Sequence, residues 1–248
     1  MFPVVQIGSL AVQVPGLVLL AGVWVATLVI DRRARDRREF AAALGNLVFL
    51  ALVAGIVGAR LGYAARHLSA YLERPLDLLS LQPVGFDSAT GALAAGLTAW
   101  AYGDRRRLQV WSTLDALAPG LAVMAVSIAL AHIASGDAFG APTAAAWGLE
   151  LWGDRRHPSQ VYELGAAVVG FALVVRLTRL ETFRGFPFLA WVAWTAGWRL
   201  VLESLRGDSV VAFGSLRVAQ LISLAVLTFA LLAMHFQARQ RITWRRPL

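Results

Sequence analysis

The chain has 248 residues, of which 58% are hydrophobic and only 15% charged, against about 25% charged in an ordinary soluble domain, so a water-soluble globular protein is excluded and a membrane protein built from apolar helices is expected. The formal net charge is +8, and every one of the 23 basic residues is an arginine. No basic run is interleaved with aromatics as a nucleic-acid groove would be, so the arginines are read as flanks of membrane spans. The sequence has no cysteine, which excludes disulfides, thiolate metal sites and a cysteine nucleophile; any thiol chemistry must use a partner's thiol.

A span needs about 20 apolar residues, so this length holds up to eight spans and leaves no room for a soluble domain; one integral domain over 1–248 is expected. A short stretch with Gly8 leads into an apolar run from Pro15 to Ile30, followed by Asp31 and the arginines 32, 33, 35, 37 and 38. Charge after the run and not before it argues for an anchor with its start outside, and against a cleaved signal peptide. Six more apolar segments follow, at about 40–59, 86–103, 113–134, 158–175, 187–202 and 218–236. Seven spans then place 15 of the 23 arginines inside and 8 outside, which is the positive-inside pattern for an outside N-terminus and a cytoplasmic C-terminus.

The outside arginines are the informative ones. Arg60 closes the second span within Gly58-Ala59-Arg60-Leu61-Gly62-Tyr63, where small residues allow close approach. Arg199, Glu203 and Arg206, spaced by four and three, are expected on one face of one helix, either as a structural ion pair or as a site for an anionic headgroup; arginine's fork matches phosphate. Arg66, Arg74 and Arg217 are expected to snorkel to the lipid surface.

His157-Pro158-Ser159-Gln160-Val161-Tyr162-Glu163 sets a polar cluster against an apolar run. Pro158 suits the first helical position, with His157 at the cap, Gln160 reaching back as in a capping box, and Tyr162 and Glu163 in the first two turns. The segment is either a well-capped helix start or a charged-headgroup site. Asp115 is expected to complement the dipole at the start of the fourth span. Gly136 to Thr143 carries turn chemistry, and Trp147 and Trp152 read as interfacial aromatics. His67 and His235 read as interface residues. No metal-ligand spacing, phosphate loop or Ser-His-Asp set stands out, and no cofactor is expected.

Taken together these motifs resemble the bacterial prolipoprotein diacylglyceryl transferase family, seven-span plasma-membrane enzymes. Residues 157–163 are similar to H-P-[ST]-Q-L-Y-E, Arg60-Leu61-Gly62-Tyr63 to R-[LIV]-G-Y, and Gly136 to Thr143 to N-G-E-x-x-G-R-P-T, with Trp147-Gly148 following. Arg199, Glu203, Arg206 and Asp208 match R-x-x-x-E-x-x-R-x-x-D with the last position one residue early, and Gln220 and Ser223 fit the opening of the final span. The departures are Pro15-Gly16 for tyrosine-glycine, Thr90 for a histidine before paired glycines, Ala129 for an arginine and His132 for an asparagine within G-R-[IV]-G-N, and Ala141 for a further arginine.

The resemblance implies transfer of the diacylglyceryl group of phosphatidylglycerol to the lipobox cysteine of an exported prolipoprotein at the bacterial plasma membrane, with glycerol phosphate leaving. The partners implied are phosphatidylglycerol, the prolipoprotein signal peptide and membrane lipids. It also implies that Arg199 holds the headgroup, that Glu203 orients it, and that Arg60, Tyr63, Gln160 and Arg206 contact substrate while His157 and Tyr162 shape the outer mouth. His132 is a candidate base, because imidazole with a pKa near 6.5 takes a thiol proton and asparagine does not; the competing reading is a neutral core histidine. Two further readings keep the scaffold: a phospholipid-binding protein without transfer chemistry, and a lipid transferase with another acceptor. A small transporter is disfavoured, since no duplicated halves and no pair of broken spans are visible.

Overall fold

The structure is a computed structural model that describes residues 4–7, 10–34, 38–79, 85–151, 153–180, 182–212 and 216–244. It is all-helical in character: α1 (Val14–Ala34), α2 (Arg38–Arg66), α3 (Leu68–Glu73), α4 (Ser88–Arg105), α5 (Val110–Ser135), α6 (Ser159–Leu177), α7 (Phe186–Leu202) and α8 (Val218–Trp244). Each of the seven apolar segments coincides with one long helix, and α3 is an additional short one. Among the described residues α1, α2, α5, α6 and α8 are long and apolar enough to cross a membrane. At 17 residues α7 is shorter, and α4 carries Asp104 and Arg105 in its last turn. Three two-stranded antiparallel hairpins, β1 (Val4–Ile7) with β2 (Leu10–Gln13), β3 (Leu149–Leu151) with β4 (Asp154–Arg156), and β5 (Val211–Ala212) with β6 (Leu216–Arg217), lie ahead of α1 or between later helices, outside the apolar runs. Gly8, Arg35, Arg37, Trp152, Arg245 and Arg246 lie outside the described residues.

The interior is made of small residues and the outside of large apolar ones, the reverse of a soluble core. Ala118, Ala122, Ala129, Ala167, Ala196 and Ala230 are buried, whereas Leu20, Trp24, Phe49, Trp100 and Phe229 are exposed. Lipid tails solvate leucine as well as a protein does, so helices associate through close contact of small residues.

The chain forms two compact units, one of Met1–Ile30 with Leu114–Leu248, the other of Asp31–Thr113. In the first, α1 meets α5 where Gly22 faces Ser127 and Gly120 faces Ile30; a Cβ on either glycine would lie 2.3 or 2.5 Å from its neighbour. Ala118 and Ala122 of α5 and Val174 of α6 form a buried cluster covered by Phe171, Phe188 and Trp191. Trp194 of α7 packs on Gly170 of α6 and donates Nε1–H to the Ala166 carbonyl at 2.9 Å. The start of α7 is set by Gly185, whose φ of 91° suits a residue without Cβ, and by a partner from α5. Asp115 accepts the N–H of Gly185 at 2.6 Å and of Phe188 at 3.1 Å. The expectation that Asp115 serves its own helix is corrected: α5 begins at Val110, five residues earlier, and the carboxylate caps α7.

In the second unit α2 and α4 pack through a seam of small residues, Gly55 on Ala95, Gly58 on Ala94, Gly62 on Thr90 and Gly91 on Ala59. Asp87 caps α4 by accepting the Thr90 N–H at 2.8 Å, and Arg66 pairs with its other oxygen at 2.7 Å. Arg66 therefore has a carboxylate partner in place of the expected lipid surface.

Candidate active site

The loops that carry the site motifs are stitched together by backbone. Ala141 N–H donates to the Leu205 carbonyl (2.8 Å), His157 N–H to Ala141 (3.0 Å), Thr143 N–H to Arg155 (2.8 Å) and Gly207 N–H to Phe139 (2.9 Å). Gly140 pairs with Arg206 and Pro142 with Arg156 as isolated bridges. Gly140 must lack a side chain, since a Cβ there would lie 2.0 Å from the His157 carbonyl oxygen. Ala138, buried in the same turn, has a φ of 59°, a left-handed conformation that an L side chain rarely adopts.

Helix α6 begins one residue later than the motif suggests. Pro158 is the cap, with no side-chain capping bond, so neither His157 at the cap nor the capping box from Gln160 is formed. The polar side chains are used across the fold instead: Ser159 Oγ donates to the Ala138 carbonyl and Gln160 Nε2 to that of Asp137 at 3.1 Å. Both are buried, so they anchor the turn, and a buried donor is worth most where it satisfies a strained, water-excluded carbonyl. Tyr162 accepts the Trp147 indole N–H at 2.7 Å, and its ring lies 6.2 Å from that of His157.

The expectation of three charges along one helix face is corrected at its third member. Helix α7 ends at Leu202, Glu203–Leu205 forms a 3-10 turn, and Arg206 has extended backbone. Arg199 Nε lies 2.9 Å from Glu203, which is only 2% exposed. Arg206 instead holds Asp208 bidentately, at 2.9 and 2.7 Å. Burial pushes the Asp208 carboxyl up, but the hydrogen bonds and charge of Arg206 outweigh it and hold the group below its usual range. Arg217, expected to snorkel, donates Nη1 to the carbonyls of Glu203 and Arg206 (2.8 Å for the latter) and to Ser209 Oγ at 3.1 Å. It clamps the 3-10 turn that follows α7, where carbonyls lack α-helical partners.

Arg199 and Arg206 open onto one cavity of about 370 Å³. Glu163 joins them on its wall, and the rest is apolar or small, with Ile128, Trp194, Trp198 and Val226 among the lining. His132 stands behind Glu163, its Nδ1 2.9 Å from the carboxylate, both side chains about a quarter exposed. His132 is thus neither an isolated core histidine nor a cavity-lining group; it reaches the cavity through Glu163. Ala129, where the resemblance implies an arginine, is fully buried one turn earlier on α5.

Arg60 and Tyr63 lie in the second unit. Arg60 is buried and donates Nε to the Leu78 carbonyl (3.2 Å), Nη1 to Gly85 (2.9 Å) and Nη2 to Asp77, with the rings of Phe86 and Tyr71 at 5.2 and 5.8 Å. These contacts commit the guanidinium to backbone, so the structure gives Arg60 an anchoring task where the sequence suggests a headgroup contact. Tyr63 stacks on His67 at 4.2 Å.

The residue that sequence reasoning passes over is Glu163. It appears there as a helix-start carboxylate, yet an acidic side chain on a membrane helix needs a specific partner or a polar cavity, and that signal, with His132 as the one titratable group at the end of α5, could have found it.

The sequence model of the family described as prolipoprotein diacylglyceryl transferase matches residues 3–236. A phosphatidylglycerol–prolipoprotein diacylglyceryl transferase of Synechococcus elongatus is 29% identical, over 93% of this chain and 85% of its own. Proteins of the same name from Enterococcus faecalis and Listeria monocytogenes are 25% and 26% identical, covering 94% and 92% of this chain and 92% and 86% of theirs. With a match over nearly its whole length, collinear motifs and a multi-pass helical fold, the chain belongs to the prolipoprotein diacylglyceryl transferase family.

Proposed function

We propose that the protein transfers the diacylglyceryl group of phosphatidylglycerol to the lipobox cysteine of exported prolipoproteins, in the bacterial plasma membrane. The observation that carries this reading is the cavity: two guanidiniums in the wall of a largely apolar space fit an amphiphile with an anionic headgroup. Arg199 and Arg206 bind the phosphodiester, and Glu203 and Asp208 fix the two forks. The cysteine sulfur attacks the glycerol CH₂ that bears the phosphate. A C–S bond forms, the C–O bond breaks with its electrons on the phosphate oxygen, and glycerol phosphate leaves, stabilised by the two arginines. A thiol with a pKa around 8.5 is mostly protonated at pH 7; its proton passes to the hydrogen-bonded Glu163–His132 pair. His157, Gln160 and Tyr162 hold the loops around the cavity.

The same reading gives seven spans, with α4 and α7 as the two short ones, an outside N-terminus and a cytoplasmic C-terminus. Reporter fusions after residues 35, 106, 181 and 245 should then read cytoplasmic and those after 75, 150 and 210 exported. Opposite readings at two of these points overturn that topology.

The direct test is purified protein in vesicles containing phosphatidylglycerol, a lipobox peptide and its cysteine-to-serine control. Transfer should add one diacylglyceryl group to the cysteine peptide alone and release glycerol phosphate. Arg199→Ala should lower the rate by about 100-fold or more, the usual loss for one transition-state donor. Phosphatidylglycerol binding without any transfer would favour a lipid-binding protein on this scaffold.

A further inference from the structure

The charges around the cavity do not add up to an anion trap. Arg199 and Arg206 each carry their own carboxylate, Glu203 and Asp208, so the two forks are already balanced. Glu163 is the carboxylate left over. Among the described residues on the cavity wall it is the one acidic group, and its hydrogen-bonded partner is an imidazole, a weaker counter-charge than a guanidinium. It faces His132 from α5, Arg199 from α7 and Arg206 from the segment beyond α7, while α8 contributes Ile222, Ser223 and Val226, none of them titratable. An anion site with an extra negative charge in its wall is built against something.

The geometry points to Glu163 as the specificity residue that admits a monoanionic phosphodiester headgroup and rejects a dianionic phosphomonoester, with His132 as the positioning residue that holds the carboxylate in the wall. This rests on the transferase reading above. Two arginine forks alone bind a dianion more tightly than a monoanion. A fixed carboxylate on the same cavity wall reverses that order, because each added unit of ligand charge meets the same repulsion in a site of lowered dielectric. A phosphodiester carries one charge at any physiological pH, whereas a phosphomonoester, with a second pKa near 6, carries close to two. The selection applies to both ends of the reaction. Phosphatidic acid, which has no headgroup alcohol, is kept out as a competitor. The glycerol phosphate formed when the C–O bond breaks is itself a phosphomonoester, so once the Glu163–His132 pair has passed on the thiol's proton the wall that tolerates the substrate expels the product.

The test uses full-length protein at pH 8, where the phosphomonoester is dianionic, titrated with vesicles of a neutral lipid doped with phosphatidic acid, phosphatidylglycerol or phosphatidylmethanol. The last is a monoanionic phosphodiester without headgroup hydroxyls, so it separates charge from loss of hydroxyl hydrogen bonds. The wild type should bind phosphatidylmethanol about tenfold or more tighter than phosphatidic acid, the size expected for one partly screened like charge. Glu163→Gln should collapse that ratio by about tenfold, Glu163→Asp should retain most of it, and His132→Asn should lower it in part. Added glycerol phosphate at pH 8 should displace bound phosphatidylmethanol from Glu163→Gln about tenfold more effectively than from the wild type. A wild type that prefers phosphatidic acid overturns the inference without any variant, and so does an unchanged ratio in a Glu163→Gln protein that still binds phosphatidylglycerol. Either result leaves the transferase reading standing if the lipobox peptide is modified; a wild type that binds none of the three lipids overturns both.

Discussion

Asp115 on α5 and Gly185 at the start of α7 are joined by a 2.6 Å hydrogen bond across 70 residues of sequence. The second carboxylate oxygen takes the N–H of Phe188, so one side chain satisfies two donors that a helix start leaves without internal partners. Asp115→Ala should destabilise the protein by about 1–2 kcal/mol, the usual cost of a lost N-cap. Asp115→Asn, with one acceptor oxygen, should cost about half as much. The midpoint of denaturant-induced unfolding in detergent micelles measures both; an unchanged midpoint for Asp115→Ala would refute the capping role.

Arg217→Ala should cost about 1.5–3 kcal/mol, because its charged donors serve carbonyls at the end of α7. A snorkelling arginine would change stability by less than about 0.5 kcal/mol. Since the clamp holds the chain between Glu203 and Arg206, the variant should also weaken phosphatidylglycerol binding. Arg217→Lys, a point charge without the fork, should recover only part of either loss.

Acid should release the Arg206–Asp208 pair. The folded-state pKa of Asp208 lies below its unfolded value near 3.9, so the pair's stabilisation is fully present above that value and is lost as pH falls through the folded one. The stability difference between the wild type and Asp208→Asn should therefore be constant from pH 8 to about pH 5 and shrink below about pH 4. A difference that fades already between pH 7 and pH 5 would mean that another group, not Asp208, carries it.

The α2–α4 seam predicts a compensating exchange. A Cβ on Gly58 would lie 2.4 Å from the Ala94 Cβ and no closer than 3.4 Å to anything else named there. Gly58→Ala alone should cost about 1–3 kcal/mol through overpacking. Combined with Ala94→Gly, most of that cost should disappear, a non-additivity readable in a double-mutant cycle. Additive losses would show that the helices do not meet at this pair.

The helices were legible in the sequence because each is a long apolar run, and hydropathy reports a solvent preference that needs no knowledge of the fold. The partners of polar groups were not. Asp115 and Gln160 sit at positions where a local rule supplies a local partner, and both reach a distant segment instead, since a buried helix end or a strained turn offers carbonyls and N–H groups that cannot find water. The array of Arg199, Glu203 and Arg206 assumed a helix that continues through all three; it stops at Leu202, and the third residue turns to Asp208. Glu163 stood inside a quoted motif, but its importance depends on which side chains share its cavity, and that is a property of packing.

Most of the bonds that gather residues 139–143, 155–157 and 205–207 run between main-chain atoms, and main-chain atoms are common to every amino acid. Such a lashing is indifferent to most of the side chains it passes through. It lets a position such as Ala141, whose N–H and carbonyl are both engaged while its side chain takes no part in those bonds, drift in evolution without unfastening the loops around the cavity. Gly140 has no such liberty, because the His157 backbone fills the space of its missing Cβ. A library randomised across this segment and selected for lipoprotein maturation should come back varied at Ala141 and unanimous at Gly140, so the architecture itself dictates where inheritance can wander.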